Sequence, residues 1–270
     1  MPSRSINKIR FILVSSVLSF CAIFSKRTMS KFPSLARIVF AGTLIAFGIW
    51  GLIKGNFTPL WTGVPKSLPG REVLAYFCAV IALACGVGLL WRRTATIASR
   101  VLLVSFAVWF LFFRAPLIFR APAATVTWWA CGETAVMIAT AWVLCAENRG
   151  LRIARVLYGL ALIPFGIAHF TYLQRTVDMV PRWLPWHLAW AYLTGAALIA
   201  AGVAIIINVY ARLAAVLTGV ELGLFTLLVW IPIILAGANA ADWNEFTVSC
   251  LLTAAAWVLA ESYSVKPAAQ

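Results

Sequence analysis

The chain has 270 residues, of which 63% are hydrophobic and 11% are charged, and its formal net charge is +14. Soluble domains contain about 25% charged residues, so this composition excludes an ordinary water-soluble domain and indicates a polytopic membrane protein. The basic residues stand singly or in twos and threes between apolar runs, as they do where loop charges orient a membrane protein. The expected partner is therefore the lipid bilayer and not nucleic acid.

Residues 1–34 form a basic N-terminal segment. Its apolar run, Phe11–Phe24, would rise about 21 Å as a helix, which is short of the roughly 30 Å hydrocarbon core. No small-x-small cleavage site follows this run. Three interpretations stay open: an uncleaved interfacial segment, a short signal anchor, or an over-extended start with Met29 as the true initiator.

Eight further apolar segments predict an all-α protein with eight transmembrane helices. Each is close to the 17–25 residues that a bilayer helix needs, and continuous apolar runs exclude the alternating pattern of a β-barrel. The predicted spans are Ala36–Ile53, Glu72–Trp91, Arg100–Phe119, Val126–Ala146, Val156–Leu173, Leu188–Ile207, Leu213–Ala236 and Phe246–Glu261.

Lys and Arg residues predict the orientation of these spans. With the N-terminus inside, fifteen of them fall on the cytoplasmic side and seven, including Arg114, on the outer side. This excess predicts that both termini are cytoplasmic. Without residues 1–28 the excess falls to ten against seven.

The chain also contains an internal repeat. Proline, glycine and tryptophan recur at offsets of 113 to 116 residues, with a steady register inside spans, as expected of a duplicated unit. The matches are Asn56-Phe57 with His169-Phe170, Pro69 with Pro185, Gly86 with Gly202, Pro116 with Pro232, Trp128 with Trp243 and Trp142 with Trp257. They predict a first four-helix unit over 35–148, a second over 149–262 and a short C-terminal tail, 263–270. Because each unit has an even number of spans, the two units are parallel and not inverted.

These repeats resemble the DoxX family of small bacterial membrane proteins. The resemblance covers about residues 35–262, so the chain is similar to two family units in tandem. In the second half the resemblance rests on Gly166-x-x-His169-Phe170, Met179-Val180-Pro181-x-x-Leu184-Pro185, Tyr192-x-Thr194-Gly195 and Gly202. In the first half it rests on Gly51-x-x-x-Gly55-Asn56-Phe57, Trp61, Val64-Pro65, Leu68-Pro69-Gly70-Arg71, Leu74-Ala75-Tyr76 and Gly86.

The resemblance implies a multi-pass protein of the bacterial inner membrane. Some DoxX-like proteins are linked to membrane oxidoreduction, including a thiosulfate:quinone oxidoreductase subunit and complexes that protect against oxidative stress, and most have no established reaction. Relatives often carry a polar residue a few positions after the Thr-Gly pair. Here Thr194-Gly195 is followed by the apolar residues 196–199, so chemistry at that position does not carry over.

The connection before the sixth span contains one group of candidate ligand contacts, His169, Asp178 and His187. An imidazole titrates near neutrality and could relay protons or contact a quinone carbonyl. The alternative is an interfacial aromatic belt, which the surrounding aromatic residues favour. Those residues are Tyr172, Trp183, Trp186 and Trp190.

Two acids inside predicted spans are further candidates, Glu133 in the fourth and Glu221 in the seventh. An acid at this depth costs about 2–3 kcal/mol on insertion scales, so each should face the bundle interior. One interpretation is a proton path or ligand contact, and the other is a neutral structural glutamic acid. The repeat places them opposite Val248 and Ser105, respectively, so they do not form a symmetric pair of sites.

The six cysteines are spread along apolar runs without a CxxC pair, and no nucleotide, haem or zinc motif is present. The sequence therefore predicts no metal site, identifies no catalytic residue and gives little support for a self-contained enzyme. The resemblance allows a quinone as cofactor and a redox protein as partner. The first hypothesis is thus an accessory subunit of a quinone-linked membrane oxidoreductase; the alternatives are a small-solute transporter and a membrane scaffold without catalysis.

Overall fold

The computed structural model describes residues 34–146 and 148–264, and this part of the chain is helical, with turns and without strands. The basic N-terminal segment up to residue 33, including the apolar run Phe11–Phe24, lies outside the described residues. The same holds for residues 265–270 of the predicted tail.

Nine helices form this part of the protein, and a 3-10 turn, Pro59–Trp61, lies between the first two. They are α1 (Leu35–Lys54), α2 (Arg71–Leu90), α3 (Arg92–Arg120), α4 (Thr125–Cys145), α5 (Asn148–Thr171), α6 (Leu173–Met179), α7 (His187–Ile206), α8 (Ala211–Leu235) and α9 (Ala240–Ser262). Within the described ranges, seven helices are long and apolar enough to cross a membrane: α1 to α5, α7 and α8. The eighth predicted span lies within α9, a helix of 23 residues that is not among these seven.

Local sequence signals fix several helix ends. The hydroxyl of Ser34 accepts a backbone N–H at the start of α1, and α1 ends at Gly55, whose φ of 60° is left-handed. At the start of α9, Asn239 and Asp242 each accept a backbone N–H from the other residue, which is a capping box. The box begins α9 six residues before the apolar segment that the sequence predicted.

The helices α3 and α8 each contain a wide π-helical turn before a proline. These turns cover Phe110–Arg114 and Thr226–Trp230 and precede Pro116 and Pro232. A proline inside a helix cannot donate a hydrogen bond and crowds the preceding turn, so local widening accommodates the ring. The two turns are separated by the same 116 residues as the two prolines.

The long helices pack as neighbours along the chain. The helices α1 to α4 contact one another in order, as do α5, α7, α8 and α9; α4 also packs against α5, and α9 against α1 and α4. The interior contains small residues and a few fully buried large ones, including Trp61, Tyr158, Phe40, Phe47 and Phe106. Outward positions carry large apolar side chains at many depths, as expected of helices that face lipid; examples are Val80, Val104, Leu160 and Leu217.

Two helix pairs, α1 with α2 and α5 with α7, approach through the same set of contacts. A Cβ on Gly86 would lie 2.8 Å from the carbonyl oxygen of Ala41, and one on Gly202 would lie 2.6 Å from that of Gly159. Two more contacts recur with the same shifts, 118 residues on the first helix of the pair and 116 on the second. They are Gly48–Leu83 and Gly51–Ala79 in one pair, and Gly166–Ile199 and His169–Gly195 in the other.

Candidate functional site

Several motif residues of the second half lie where α5 packs against α7. A Cβ on Gly195 would lie 2.8 Å from the Cβ of His169 and 3.1 Å from Cζ of Phe170. The ring of Phe170 stacks on Tyr192 of α7, with centroids 5.8 Å apart. A side chain larger than hydrogen at 195 would therefore displace the histidine, which explains why the close approach needs glycine here.

The imidazole of His169 is fixed by two contacts. Its Nδ1 lies 2.9 Å from the carbonyl oxygen of Phe165, one turn earlier in α5. Its ring stacks on Phe225 of α8, with centroids 5.9 Å apart and planes 24° from parallel. The side chain is half-buried. We call His169, Phe170, Tyr192, Gly195 and Phe225 the His169 site.

The other two candidates of the connection between α5 and α7 do not join this site. Asp178 is exposed on α6, and its Oδ1 accepts a hydrogen bond of 2.8 Å from Gln174 Nε2. His187 is the first residue of α7 and follows Trp186, whose φ of 56° is left-handed. Within the described residues, no hydrogen bond or ring contact links His169, Asp178 and His187.

Glu221 lies in α8, one helical turn before Phe225. Its Oε1 is buried and has no hydrogen-bond partner within the described part of the chain. This agrees with the prediction that the acid faces the interior. A buried polar atom without a partner is uncommon in folded proteins, so Glu221 stays a candidate contact for a ligand or a proton.

A second polar group surrounds Arg114, in the π-turn of α3. Its side chain is 4% exposed; Nε donates to Thr134 Oγ1 at 3.1 Å, and Nη2 donates to Thr62 Oγ1 at 2.6 Å. The charge count placed Arg114 on the outer side; its side chain lies inside the bundle, so it is not a loop charge. Its position within the predicted span Arg100–Phe119 is consistent with this burial.

Glu133 belongs to the same group. Its Oε1 accepts a hydrogen bond of 3.0 Å from Trp129 Nε1, and it interacts electrostatically with Arg114 and with Glu245 of α9. Arg175 of α6 in turn attracts Glu245. We call Thr62, Arg114, Trp129, Glu133 and Thr134 the Arg114 cluster.

A cavity of about 20 Å³ adjoins the Arg114 cluster. Such a volume holds about one water molecule. Its lining comes from the 3-10 turn, α3, α4 and α9, and consists of Pro59, Leu60, Arg114, Glu133, Thr134, Met137, Val248, Leu251 and Leu252. The arrangement can fasten these four elements to one another through polar contacts, but it encloses no space for a larger molecule.

A third polar contact joins α5 to the end of α9. Arg155 donates from Nε to Ser262 Oγ at 3.1 Å and from Nη2 to the Ser262 carbonyl oxygen at 2.6 Å, and it lies 3.9 Å from the centre of the Tyr263 ring. Burial raises the pKa of Tyr263, and the positive charge of Arg155 offsets part of this rise. Cations near a helix C-terminus stabilise its last carbonyl groups.

The cysteines give no sign of a cofactor site. Cys78, Cys85 and Cys131 are buried, Cys145 and Cys250 are half-buried, and all five are free thiols; Cys21 lies outside the described residues. Within residues 34–146 and 148–264, no three His, Cys, Asp or Glu side chains are grouped so that they could hold a metal ion.

Residues 158–258 match the family described as Domain of unknown function (DUF8561). The matched range runs from α5 into α9 and contains the whole His169 site. No curated protein and no solved structure matches the chain.

Proposed function

We propose that the protein is an eight-span protein of the bacterial inner membrane with both termini cytoplasmic. The eighth span would be α9, because its 23 residues rise about 34 Å, which exceeds the roughly 30 Å hydrocarbon core. It packs against α1, α4 and α8 and buries ten of its residues. The short α6 would lie at the outer surface.

The spans would form two parallel DoxX-like units, α1 to α4 and α5 to α9. The recurring close approaches of α1 with α2 and of α5 with α7 support this repeat, as do the matching π-turns of α3 and α8. The contacts within these two helix pairs also favour a different alignment of the two halves near His169. They pair His169 with Gly51 and not with Asn56, since Gly51 packs on Ala79 as His169 packs on Gly195.

Within this architecture, the protein would serve as a non-catalytic subunit of a quinone-linked membrane oxidoreductase, with a redox protein as partner. The observation that supports this role is the His169 site. A planar redox ring needs an apolar stacking surface and a polar contact at its oxygen atoms. The site offers aromatic rings from α5, α7 and α8 beside one half-buried imidazole.

A membrane scaffold is the second candidate. The hydrogen bonds of Arg114 with Thr62 and Thr134 favour it, because they join α3 to α4 and to the connection after α1. For a transporter, the cavity beside Glu133 holds about one water molecule, which leaves little room for a solute. The scaffold interpretation accounts for the Arg114 cluster but not for His169.

Quinone content after purification tests the proposed role. The full chain would be purified from bacterial membranes in mild detergent, and lipid quinone would be extracted and measured per mole of protein. We expect quinone with the wild type, much less with His169→Ala, and the wild-type amount with Asp178→Asn, the control on the same outer connection. Quinone absent from the wild type, or equal in all three proteins, would contradict the proposal.

A further inference from the structure

The hydrogen bond of His169 determines what its free nitrogen can do. A backbone carbonyl oxygen can only accept, so the contact of 2.9 Å with Phe165 requires the proton to sit on Nδ1. In a neutral imidazole the other nitrogen, Nε2, then carries a lone pair and accepts hydrogen bonds. Within the described residues, Nε2 has no hydrogen-bond partner.

Two contacts hold the side chain where this bond forms, and the bond itself favours one orientation of the ring. The Cβ of His169 lies against the backbone of Gly195, and the ring lies against Phe225. A ring flip would give up the bond to Phe165 in a region of low dielectric, where a lost hydrogen bond is costly. The structure therefore presents an acceptor next to an aromatic stacking surface.

We propose that the His169 site selects the reduced, hydroxyl-bearing form of an aromatic redox lipid, a hydroquinone, over the oxidised quinone. This inference rests on the proposed function for the ligand class. The carbonyl oxygens of a quinone are acceptors, and beside the Nε2 lone pair they find no donor. A hydroquinone hydroxyl supplies the missing donor. The imidazole of His169 thus accepts a hydrogen bond from the ligand, whereas an imidazole that contacts a quinone carbonyl would donate one.

The ratio of two affinities tests this selection. The full chain would be placed in neutral phospholipid nanodiscs at pH 8, where an imidazole is ordinarily neutral. Binding of decyl-ubiquinol and decyl-ubiquinone would be measured anaerobically by equilibrium dialysis. One hydrogen bond gained against one acceptor left without a donor gives an expected preference of about tenfold for the reduced form.

Two glutamine variants separate the histidines. A glutamine amide can donate or accept, so His169→Gln should bring the ratio of the two affinities close to one. His187→Gln changes the other histidine near the outer surface and should keep the tenfold ratio. If His169→Gln keeps it as well, the assignment to His169 is wrong.

The wild-type result also separates this inference from the proposed function. If neither form binds, the proposed function fails, and the selection fails with it. If both forms bind equally, or the quinone binds more tightly, only the selection fails.

A second measurement needs no variant in the site. The chain has two histidines, so ¹⁵N spectra of histidine-labelled protein can be assigned with His187→Gln alone. We expect His169 to show a protonated Nδ1 and a bare Nε2, and the Nε2 signal to move with hydroquinone but not with quinone. A proton on Nε2 and none on Nδ1 in the ligand-free protein would overturn the inference.

Discussion

Replacing Arg114 with methionine tests whether the Arg114 cluster stabilises the fold. The change keeps much of the side-chain length and removes the charge and two hydrogen bonds. Side-chain hydrogen bonds in membrane proteins contribute about 0.6 kcal/mol on average, with a maximum of about 1.7, and charge-assisted bonds are about twice as strong as neutral ones. Loss of the two bonds should therefore lower the free energy of unfolding by about 2–3 kcal/mol.

The effect on Glu133 adds to this loss. Without Arg114, the buried carboxyl group of Glu133 also loses the attraction of a positive neighbour, so the upper end of this range applies. We expect a total loss of about 3 kcal/mol for Arg114→Met and about 1 kcal/mol for Thr134→Val, which removes one acceptor. Adding Glu133→Gln to Arg114→Met should cost at least about 1 kcal/mol less than the sum of the single changes.

Equilibrium unfolding in mixed micelles, driven by a rising fraction of SDS and followed by tryptophan fluorescence, measures these energies. Arg120→Met is the matched control, because Arg120 is an exposed arginine at the end of the same helix, and it should stay within about 0.5 kcal/mol of the wild type. An equally small effect of Arg114→Met would refute the stabilising role. Additive energies for Arg114 and Glu133 would show that the two side chains do not interact.

Three other changes test the packing and the backbone. Gly202→Ala should lower the free energy of unfolding by about 1–3 kcal/mol through overpacking, because its Cβ would lie 2.6 Å from the Gly159 carbonyl oxygen. Gly223→Ala should raise that free energy by about 0.5–1 kcal/mol, because the nearest neighbour of its Cβ would lie 3.6 Å away. Changes of the same sign in both variants would contradict the packing. Arg155→Lys should speed amide hydrogen exchange in the last turn of α9, because lysine lacks the planar fork that reaches both acceptors; unchanged exchange would count against this contact. Tyr210→Gly should be about 1 kcal/mol more stable than Tyr210→Ala by SDS unfolding, since φ is 50° here, and equal stabilities would argue against a left-handed residue.

Hydropathy predicted the presence of the long apolar helices better than it predicted where they end. The predicted span Arg100–Phe119 lies inside α3, which runs from Arg92 to Arg120. Charged residues end the apolar pattern, but they do not interrupt backbone hydrogen bonds, so the helix continues beyond the apolar segment. At α9 the stop signal was present in the sequence as Asn239 and Asp242, three residues apart, although apolarity alone does not detect it.

The position of Arg114 could not be derived from its neighbours in sequence. Its acceptors come from the connection after α1 and from α4, so they are 52 and 20 residues away. An arginine between apolar residues is consistent with a loop, a snorkelling side chain or a buried contact. Only the packing of three elements distinguishes these possibilities, because it decides whether acceptors such as Thr62 and Thr134 are within reach.

The candidate residues between α5 and α7 are close in sequence, but they do not form one group in the structure. His169 and Asp178 are close in the chain, but α6 begins between them, and Asp178 pairs with Gln174 of its own helix. By contrast, motif residues on α5 and α7 are in contact, because helices joined by a short connection pack antiparallel. The contact of His169 with Gly195 follows from that hairpin.

Under the proposed repeat, the two halves share a scaffold and differ in the polar side chains that it carries. Where the second half packs His169 on Gly195, the first half packs Gly51 on Ala79, so the imidazole has no counterpart there. Conversely, the position in α8 that corresponds to Arg114 is a tryptophan. Within the described residues, the His169 imidazole thus belongs to the second half and the Arg114 cluster to the first. Under the proposed function, the ligand contact would therefore lie in the second half, whereas the Arg114 cluster joins helices of the first half.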